Sequence, residues 1–250
     1  MSVVNSQQSD NIANQSGKLF KRGFLHIPNA FPSESVLNFK NELDSLFEEL
    51  KQDQIVRHAS NLDDSPGAIV EINRALRHKS ALKKFELFQQ ARKIANDLMG
   101  RRVFCAFDHA IYKPSNSGKI SWHQDEAYRA SVKKMSSIHF WIPLHDVGPE
   151  QGGMQYIPHD KAPHAIEHRK HETGHTLVAE PTEESLKHAE PISTKLGDLV
   201  VHTPTVLHSS LPNKSDQTRK AWIIHFNPYG PYEVLLPRNI LGFVKSRFLH

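Results

Sequence analysis

The chain has 250 residues, 38% hydrophobic and 23% charged, which is long enough to bury a core and ordinary for a globular protein. Its net charge of +4 at pH 7 is spread thinly, without a block of basic residues, and this disfavours a nucleic-acid partner. The apolar runs fall short of the roughly 18 residues that a membrane span needs. One cysteine, Cys105, excludes an internal disulfide and indicates a reducing, cytoplasmic location.

The chain is predicted to form one domain behind a polar leader. Residues 1–17 lack the basic and apolar segments of a secretory signal, so they predict a disordered leader and leave residues 18–250 as a single domain. A charged, His-rich insertion covers about residues 162–195. A loop of this length in a compact domain is usually functional or disordered. We interpret it as a lid or substrate-entry segment, with a solvated excursion as an equal alternative.

Helices are predicted in the first hundred residues and strands after them. Residues 19–31 predict a short strand and turn, and residues 52–67 predict a polar loop. Apolar side chains at intervals of three and four predict helices over about residues 33–50 and 80–98, the second ended by Gly100. The predicted strands are short: 103–113, 138–144, 155–157, 198–202 and 221–226. This order predicts an α+β chain with a mainly β core, closed as a barrel or sandwich.

The first motif that carries chemistry is Ser121-Trp122-His123-Gln124-Asp125. On a strand, residues i and i+2 point to one face about 6.5–7 Å apart, so the side chains of His123 and Asp125 can reach one ion. Two histidines and one carboxylate that leave metal positions open are typical of non-haem iron(II) oxygenases. The motif alone is weak evidence among 17 histidines, and its rival His188-Ala189-Glu190 lies in the insertion.

The second motif is a distal histidine followed by a turn and an arginine. Turn residues at 213–217 suggest a hairpin that pairs Arg219 with Ser210 and Ala221 with His208. A dicarboxylate could then chelate the metal beside His208 and take a bidentate bond from Arg219 at its far end. The register is an assumption, and a surface arginine in an ion pair is the alternative for Arg219.

Together these residues resemble the phytanoyl-CoA dioxygenase family of Fe(II)/2-oxoglutarate-dependent oxygenases. The resemblance covers residues 19–226, and the order and spacing of the matching residues are those of the family. They are Ile111-Tyr112-Lys113-Pro114, Ser117-Gly118, Trp122-His123-Gln124-Asp125, Tyr128, Trp141-Ile142-Pro143-Leu144, Asp146, Gly152-Gly153-Met154, Pro158, Gly197-Asp198, His208, Ser210, Asn213 and Arg219. One departure is Pro158-His159-Asp160-Lys161, where the family has Gly-Ser-His after the proline.

The resemblance implies a double-stranded β-helix, the jelly-roll or cupin-like fold, flanked by N-terminal helices. It implies that the metal ligands are His123, Asp125 and His208. It also implies that Arg219 and Ser210 hold the far carboxylate of 2-oxoglutarate.

Two further positions follow from the resemblance. Trp141 matches a residue that lines the cosubstrate site, with a core tryptophan as the alternative. His109 falls where the family has an apolar cosubstrate contact, and it either reaches the pocket or is a buried, satisfied imidazole.

The predicted activity is that of a dioxygenase using Fe(II), 2-oxoglutarate and O2. Because related halogenases replace the carboxylate ligand with a small residue, Asp125 favours hydroxylation of an unactivated C–H bond, with release of succinate and CO2. The alternatives are desaturation, cyclisation or epoxidation in secondary metabolism, a catalytically silent metal-binding β-barrel, and a nucleic-acid or peptide demethylase. The last would need a basic or aromatic surface, and none stands out. We expect a small-molecule substrate and no nucleic acid, membrane span or obligatory protein partner.

Overall fold

The computed structural model describes residues 15–52, 57–58, 69–129, 137–162, 166–170 and 177–230. The predicted leader, residues 1–17, lies outside these ranges except at its end, where the first helix has already begun. Within the described ranges, no helix combines the length and the apolar character that crossing a bilayer requires.

The helices lie mainly in the first hundred residues, as predicted. They are α1 (Ser16–Arg22), α2 (Ser33–Gln52), α3 (Ala75–His78), α4 (Glu86–Met99) and the short α5 (Glu183–Leu186). Gly100 ends α4 in the left-handed conformation, with a φ of 60°, which glycine adopts without strain.

Two details of the helix prediction are wrong. Residues 19–31 do not begin with a strand, because α1 continues to Arg22 and a strand starts only after Gly23. The helix predicted over residues 80–98 is interrupted at Phe85, whose extended backbone separates a 3-10 turn at Ser80–Lys84 from α4. Apolar periodicity continues across Phe85 because its ring packs on Phe39 of α2, so the pattern alone could not locate the break.

Thirteen strands are present in the described ranges. They are β1 (Phe24–Ile27), β2 (Arg57–His58), β3 (Val70–Asn73), β4 (Phe104–Lys113), β5 (Ile120–His123), β6 (Ile138–Pro143), β7 (Met154–Ile157), β8 (His168–Lys170), β9 (Leu177–Ala179), β10 (Glu190–Pro191), β11 (Leu199–His202), β12 (Leu207–Ser210) and β13 (Arg219–Asn227). A seven-stranded sheet has the order β1-β11-β6-β13-β4-β3-β2, and a four-stranded sheet has the order β10-β7-β12-β5. Strands β8 and β9 form a separate hairpin.

The large sheet has a helix-covered face and an interior face. Alternate residues of β13 show the division: Trp222 packs on Phe39 of α2, with ring centroids 4.3 Å apart, while Ala221 and Ile223 belong to the core between the two sheets. That interior core also holds Trp141. The strand register therefore decides which side chains can reach an internal site.

The hairpin predicted between residues 208 and 221 is wrong. Strand β12 pairs with β5 and β7 in the small sheet, whereas β13 pairs with β4 and β6 in the large sheet. The Asn213 side chain donates to the backbone oxygens of Lys113 and Pro114, at 3.1 and 2.8 Å. The turn is therefore fastened to the end of β4, and it carries the chain from one sheet to the other.

The described part of the insertion at residues 162–195 contains regular structure rather than one long loop. It provides β8, β9, α5 and β10, and β10 extends the small sheet beside β7. The polar loop predicted over residues 52–67 lies mostly outside the described ranges, but β2 falls within it and pairs with β3.

Candidate active site

Two histidines face each other across the neighbouring strands β12 and β5 of the small sheet. His208 of β12 is the strand partner of His123 at the end of β5. The Nδ1 atom of each ring donates to a backbone oxygen two residues earlier, that of Ser121 at 2.8 Å and that of Val206 at 3.0 Å. Each Nε2 atom therefore keeps a lone pair, which is what a metal needs. Burial lowers the pKa of both imidazoles to about 4, so both are neutral at pH 7.

The carboxylate of Asp125 completes this group, although not by strand alternation as predicted. Strand β5 ends at His123, and Asp125 is the first residue of a 3-10 turn. Its Oδ1 atom lies 3.6 Å from the Nε2 atoms of both His123 and His208. The three ligand atoms lie within 4.8 Å of one another, a spacing that lets them close on a single ion.

The surroundings of Asp125 favour its charged form. Burial by itself would raise the pKa of this carboxyl. The electrostatic interaction with His208 and hydrogen bonds from His139 and His202 outweigh burial, so the pKa lies well below its ordinary value. The carboxylate is therefore ionised at neutral pH.

A second group of possible ligands shares Asp125. The Oδ2 atom of Asp125 lies 2.5 Å from Nδ1 of His139 on β6 and 3.3 Å from Nε2 of His202 on β11. The sequence analysis assigned no role to His139. The signal that could have found it is alternation on β6, since His139 shares a face with Trp141 two residues later.

A buried arginine lies further along the interior. Arg219 begins β13, opposite Lys113 of β4, and its side chain is 1% exposed. Among the described residues, its Nε and Nη1 atoms have no hydrogen-bond partner. Its Cζ atom is 5.8 Å from the ring centroid of Trp141. Burial lowers the pKa of Arg219 to about 10, so the guanidinium is still charged at pH 7.

Lys113 links Arg219 to Ser210. Its side chain is fully buried, and Nζ donates to Ser210 Oγ at 3.0 Å and to the Leu211 backbone oxygen at 2.5 Å. Sequence reasoning missed this residue as part of the site, although its alternation with Ile111 placed it on the interior face. Ser210 and Arg219 thus belong to different sheets, and Lys113, the strand partner of Arg219, reaches across to Ser210.

The geometry has a counterpart among known proteins. The model of the phytanoyl-CoA dioxygenase (PhyH) family matches residues 20–221. The chain belongs to this family. It is accordingly a 2-oxoglutarate-dependent dioxygenase with iron and 2-oxoglutarate as cofactors, which confirms the class predicted from the sequence. The search of curated proteins found no significant match.

Solved structures of similar fold extend over most of the chain. EvdO2 from Micromonospora carbonacea var. aurantiaca, complexed with 2-oxoglutarate, is 22% identical, with a TM-score of 0.65 and coverage of 85% of this chain and 89% of EvdO2. The epimerase SnoN, complexed with Fe3+, alpha ketoglutarate and nogalamycin RO, is 14% identical. Its TM-score is 0.68, and the match covers 87% of this chain and 84% of SnoN. EctD from S. alaskensis, with 2-oxoglutarate and 5-hydroxyectoine, is 18% identical. Its TM-score is 0.63, and the match covers 86% of this chain and 75% of EctD. These likenesses confirm the double-stranded β-helix.

In this PhyH-family chain, His109 lies on the interior face of β4. Its Nδ1 atom is hydrogen-bonded to Glu71 of β3. His109 and Trp141 flank the same residue, Ile223 of β13, from opposite sides. The imidazole has a hydrogen-bond partner, its side chain is 16% exposed, and it faces the interior, so the two alternatives for His109 both stay predictions.

The insertion is attached to the segment that contains His123 and Asp125. The backbone N–H of Gln124 donates to Nε2 of His168 on β8 at 2.9 Å, and the Ile166 N–H donates to Gln124 Oε1 at 3.3 Å. The hydroxyl of Tyr128, whose ring is 6.2 Å from that of His123, accepts from the Leu177 N–H of β9 at 3.0 Å. The hairpin β8–β9 thus lies beside the segment that carries His123 and Asp125.

Proposed function

We propose that this PhyH-family enzyme hydroxylates an unactivated C–H bond of a small molecule, using iron held by His123, Asp125 and His208. The observation that carries the proposal is the buried guanidinium of Arg219, whose Nε and Nη1 atoms have no partner among the described residues. A buried charge without a partner is costly, so the site calls for an anion. The far carboxylate of 2-oxoglutarate has the matching charge and planar geometry.

The metal ligands fit iron by their chemistry. Two neutral imidazoles present Nε2 lone pairs, and an ionised carboxylate presents Oδ1, which is the two-histidine, one-carboxylate donor set of non-haem iron(II) oxygenases. Bound iron supplies the oxidative chemistry with 2-oxoglutarate and O2, from which succinate and CO2 are released. The chain contributes the fixed positions of the three donors, in a site where His208 is buried and His123 and Asp125 are mostly buried.

Four residues would hold the cosubstrate. Arg219 donates to the far carboxylate through its two partnerless N–H groups. Ser210 donates from the facing small sheet, and Lys113 donates from β4, the strand beside Arg219 in the large sheet. The ring of Trp141, 5.8 Å from the Arg219 Cζ atom, limits where the guanidinium can move. His109 and Trp141 both lie next to Ile223 on the interior face of the large sheet. We place His109 at the wall between cosubstrate and substrate.

A second outcome at the same site is desaturation, cyclisation or epoxidation in secondary metabolism. SnoK, an 18% identical structure covering 88% of this chain with a TM-score of 0.64, is described as an alpha ketoglutarate dependent carbocyclase. The outcome depends on which substrate bond faces the metal. Asp125 is present as a carboxylate, and this supports oxygen transfer rather than halogenation.

The insertion has a place in this proposal. Because Ile166, His168 and Leu177 are hydrogen-bonded to Gln124 and Tyr128, we propose that the described parts of the insertion at 162–195 cover the metal side of a single catalytic domain, residues 18–250. We also expect a small-molecule substrate and no obligatory protein partner.

The test is anaerobic reconstitution of the purified protein with Fe(II) and 2-oxoglutarate, following the weak visible charge-transfer band of the chelate. His208→Ala and Asp125→Ala should lose the band. Arg219→Ala should keep Fe(II) binding but need at least about 30-fold more 2-oxoglutarate, since truncating a buried charged partner costs about 2–5 kcal/mol or more. Arg101→Ala, at an exposed arginine, is the matched control.

The proposal fails if the wild type binds Fe(II) but gives no band with 2-oxoglutarate. In that case the silent metal-binding barrel would replace it. If Arg219→Ala forms the band at the same 2-oxoglutarate concentration as the wild type, the metal ligands stand and the role of Arg219 in binding 2-oxoglutarate is wrong. Succinate release with candidate substrates, followed by product analysis, then separates hydroxylation from ring closure or desaturation.

A further inference from the structure

The two oxygens of Asp125 have different neighbours. Oδ1 lies 3.6 Å from Nε2 of His123 and of His208, the pair proposed to bind iron. Oδ2 has other neighbours: Nδ1 of His139 lies at 2.5 Å and Nε2 of His202 at 3.3 Å. One carboxylate therefore faces two pairs of imidazoles, one with each oxygen.

The second pair holds Oδ2 by hydrogen bonds. An ionised carboxylate can only accept, so the facing nitrogens of His139 and His202 must carry protons and donate. A protonated ring nitrogen has no lone pair for a metal. The separation of 2.5 Å between Oδ2 and His139 Nδ1 is that of a short charge-assisted hydrogen bond, and it leaves no room for an ion between the two atoms.

The rings of the two donors are fixed by their own contacts. His139 is fully buried and stacks on His225, its strand partner on β13, with centroids 3.6 Å apart and planes 3° from parallel. His202 is 3% exposed, and its Nδ1 atom lies 3.3 Å from the hydroxyl of Tyr156. Because neither ring is free to turn, the donors define one orientation of the Asp125 carboxylate.

We propose that His139 and His202 are positioning residues for the metal centre: they occupy Oδ2 of Asp125 so that Oδ1 alone faces the metal. This inference rests on the proposed function, since it presumes a metal between His123, Asp125 and His208. Without the two donors, Asp125 would rotate and its second oxygen would compete for the open positions. Loss of a hydrogen-bond partner of a metal ligand typically changes metal affinity by about 10- to 100-fold.

The test uses paired substitutions at each position. His139→Phe and His202→Phe keep a ring of similar volume but remove the donor. His139→Asn and His202→Gln keep an N–H close to the positions of Nδ1 and Nε2, the nitrogens that face Oδ2 in the native rings. His225→Phe is the matched control, because it preserves the ring stack on His139 without altering a donor to Asp125.

The readouts are the affinity and stoichiometry of Co(II) by titration calorimetry of metal-free protein, and the visible spectrum of bound Co(II), which reports the number of ligands. Each Phe variant should bind Co(II) about 10- to 100-fold more weakly and shift the spectrum, while His139→Asn and His202→Gln should recover most of the affinity. The wild type should bind one Co(II) per chain, and His225→Phe should bind it as the wild type does.

Three results would overturn the inference. Unchanged affinity and spectrum in both Phe variants would mean that the histidines serve packing only. Equal weakening in His225→Phe would assign the effect to the stack rather than to the donors. Two Co(II) per chain, one of them lost in His139→Phe and retained in His208→Ala, would make Asp125, His139 and His202 a second metal site. If His208→Ala leaves the single Co(II) in place, the proposed iron site itself fails, which is a different outcome from these three.

Discussion

At the scale of single residues, the site depends on buried titratable groups whose charge state is set by their surroundings. His123 and His208 are held neutral, Asp125 is held charged, and Arg219 keeps its charge without a protein partner, among the described residues, for two of its nitrogens. The sequence singles out His123 and Asp125 through a short motif, but the choice of His208 and Arg219 depended on the family resemblance, because the hairpin proposed to join them is wrong.

Lys113 and His139 could not be predicted in the same way. Their place in the site depends on which strands are neighbours, and on which face of β4 or β6 each side chain lies. Neither fact is encoded in a local pattern. Strand alternation from Ile111 and Trp141 gives the correct face, but only once the interior of the barrel is known.

The first residue-scale prediction concerns Lys113. Lys113→Met keeps the volume of the buried side chain and removes its charge and donors. We expect 2-oxoglutarate to bind about 10- to 100-fold more weakly, the range for losing a hydrogen bond from a charged group, while Fe(II) affinity is unchanged. Anaerobic titrations with each ligand measure the two affinities separately.

The control for Lys113→Met is Lys195→Met, at a lysine whose side chain is 78% exposed. Normal 2-oxoglutarate affinity in Lys113→Met would leave the buried lysine with a purely structural role. A parallel loss of Fe(II) affinity would instead point to a general disturbance of the two sheets.

At the scale of elements, local turn signals were misleading where the chain crosses between sheets. The residues at 213–217 have the composition of a hairpin turn, yet they join strands of different sheets, because Asn213 binds the end of β4. Helices α2 and α4 and the longer strands were predictable from their apolar periodicity. Strands of two to four residues, such as β3 and β10, are too short for such a pattern to stand out.

Asp108 joins three elements and gives the second prediction. Its Oδ2 atom accepts from the Leu76 N–H at the start of α3, at 3.1 Å, and from the Trp222 indole of β13, at 3.2 Å. Burial raises the pKa of Asp108 to about 6. A raised carboxyl pKa stabilises the folded protein at low pH, and this stability is lost as the pH rises from about 4 through 6.

Asp108→Asn cannot ionise, so it should gain stability relative to the wild type as the pH rises. The difference in unfolding free energy should change by roughly 2 kcal/mol between about pH 4.5 and 7.5, in favour of the variant. Urea denaturation at both pH values measures it. Asp160→Asn, at an exposed carboxylate, is the control and should show almost no such change. If the difference in unfolding free energy between Asp108→Asn and the wild type is the same at both pH values, burial does not hinder ionisation of Asp108.

The third prediction concerns the attachment of the insertion to Gln124. His168→Phe removes the acceptor of the Gln124 N–H while keeping a ring in β8. We expect the Gln124 amide to exchange with solvent at least about 10-fold faster, since protection tracks the local opening of such bonds. Hydrogen exchange followed by NMR or mass spectrometry measures this, with exposed His188→Phe as the comparison. Unaltered exchange at Gln124 would show that β8 does not hold this segment in place.

At the scale of the whole molecule, the two buried imidazoles predict how stability varies with pH. The pKa values of His123 and His208 are lowered to about 4, against 6.5 in an unfolded chain. The unfolded chain therefore takes up protons first, and the stability conferred by neutral imidazoles is complete above pH 6.5 and lost as the pH falls towards 4. A shift of this size corresponds to roughly 3 kcal/mol for one histidine, and Asp108 acts in the opposite direction over part of the same range.

The measurement is the unfolding free energy of the metal-free protein between about pH 4.5 and 7. Wild type should lose stability on acidification more steeply than His123→Leu/His208→Leu, in which both titrating rings are replaced. Equal slopes for the two proteins would contradict the prediction. Metal should protect the wild type alone, by an amount that grows with its free concentration.

The division of the site between two sheets has a mechanical consequence. His208 belongs to the four-stranded sheet and Arg219 to the seven-stranded sheet, and a dicarboxylate that spans them would act as a non-covalent cross-link through the middle of the barrel. Each turnover would shorten that cross-link by one carbon when CO2 leaves. The walls of the barrel would then be held together firmly before oxidation and less firmly after it, so the loss of CO2 would itself favour opening and product release.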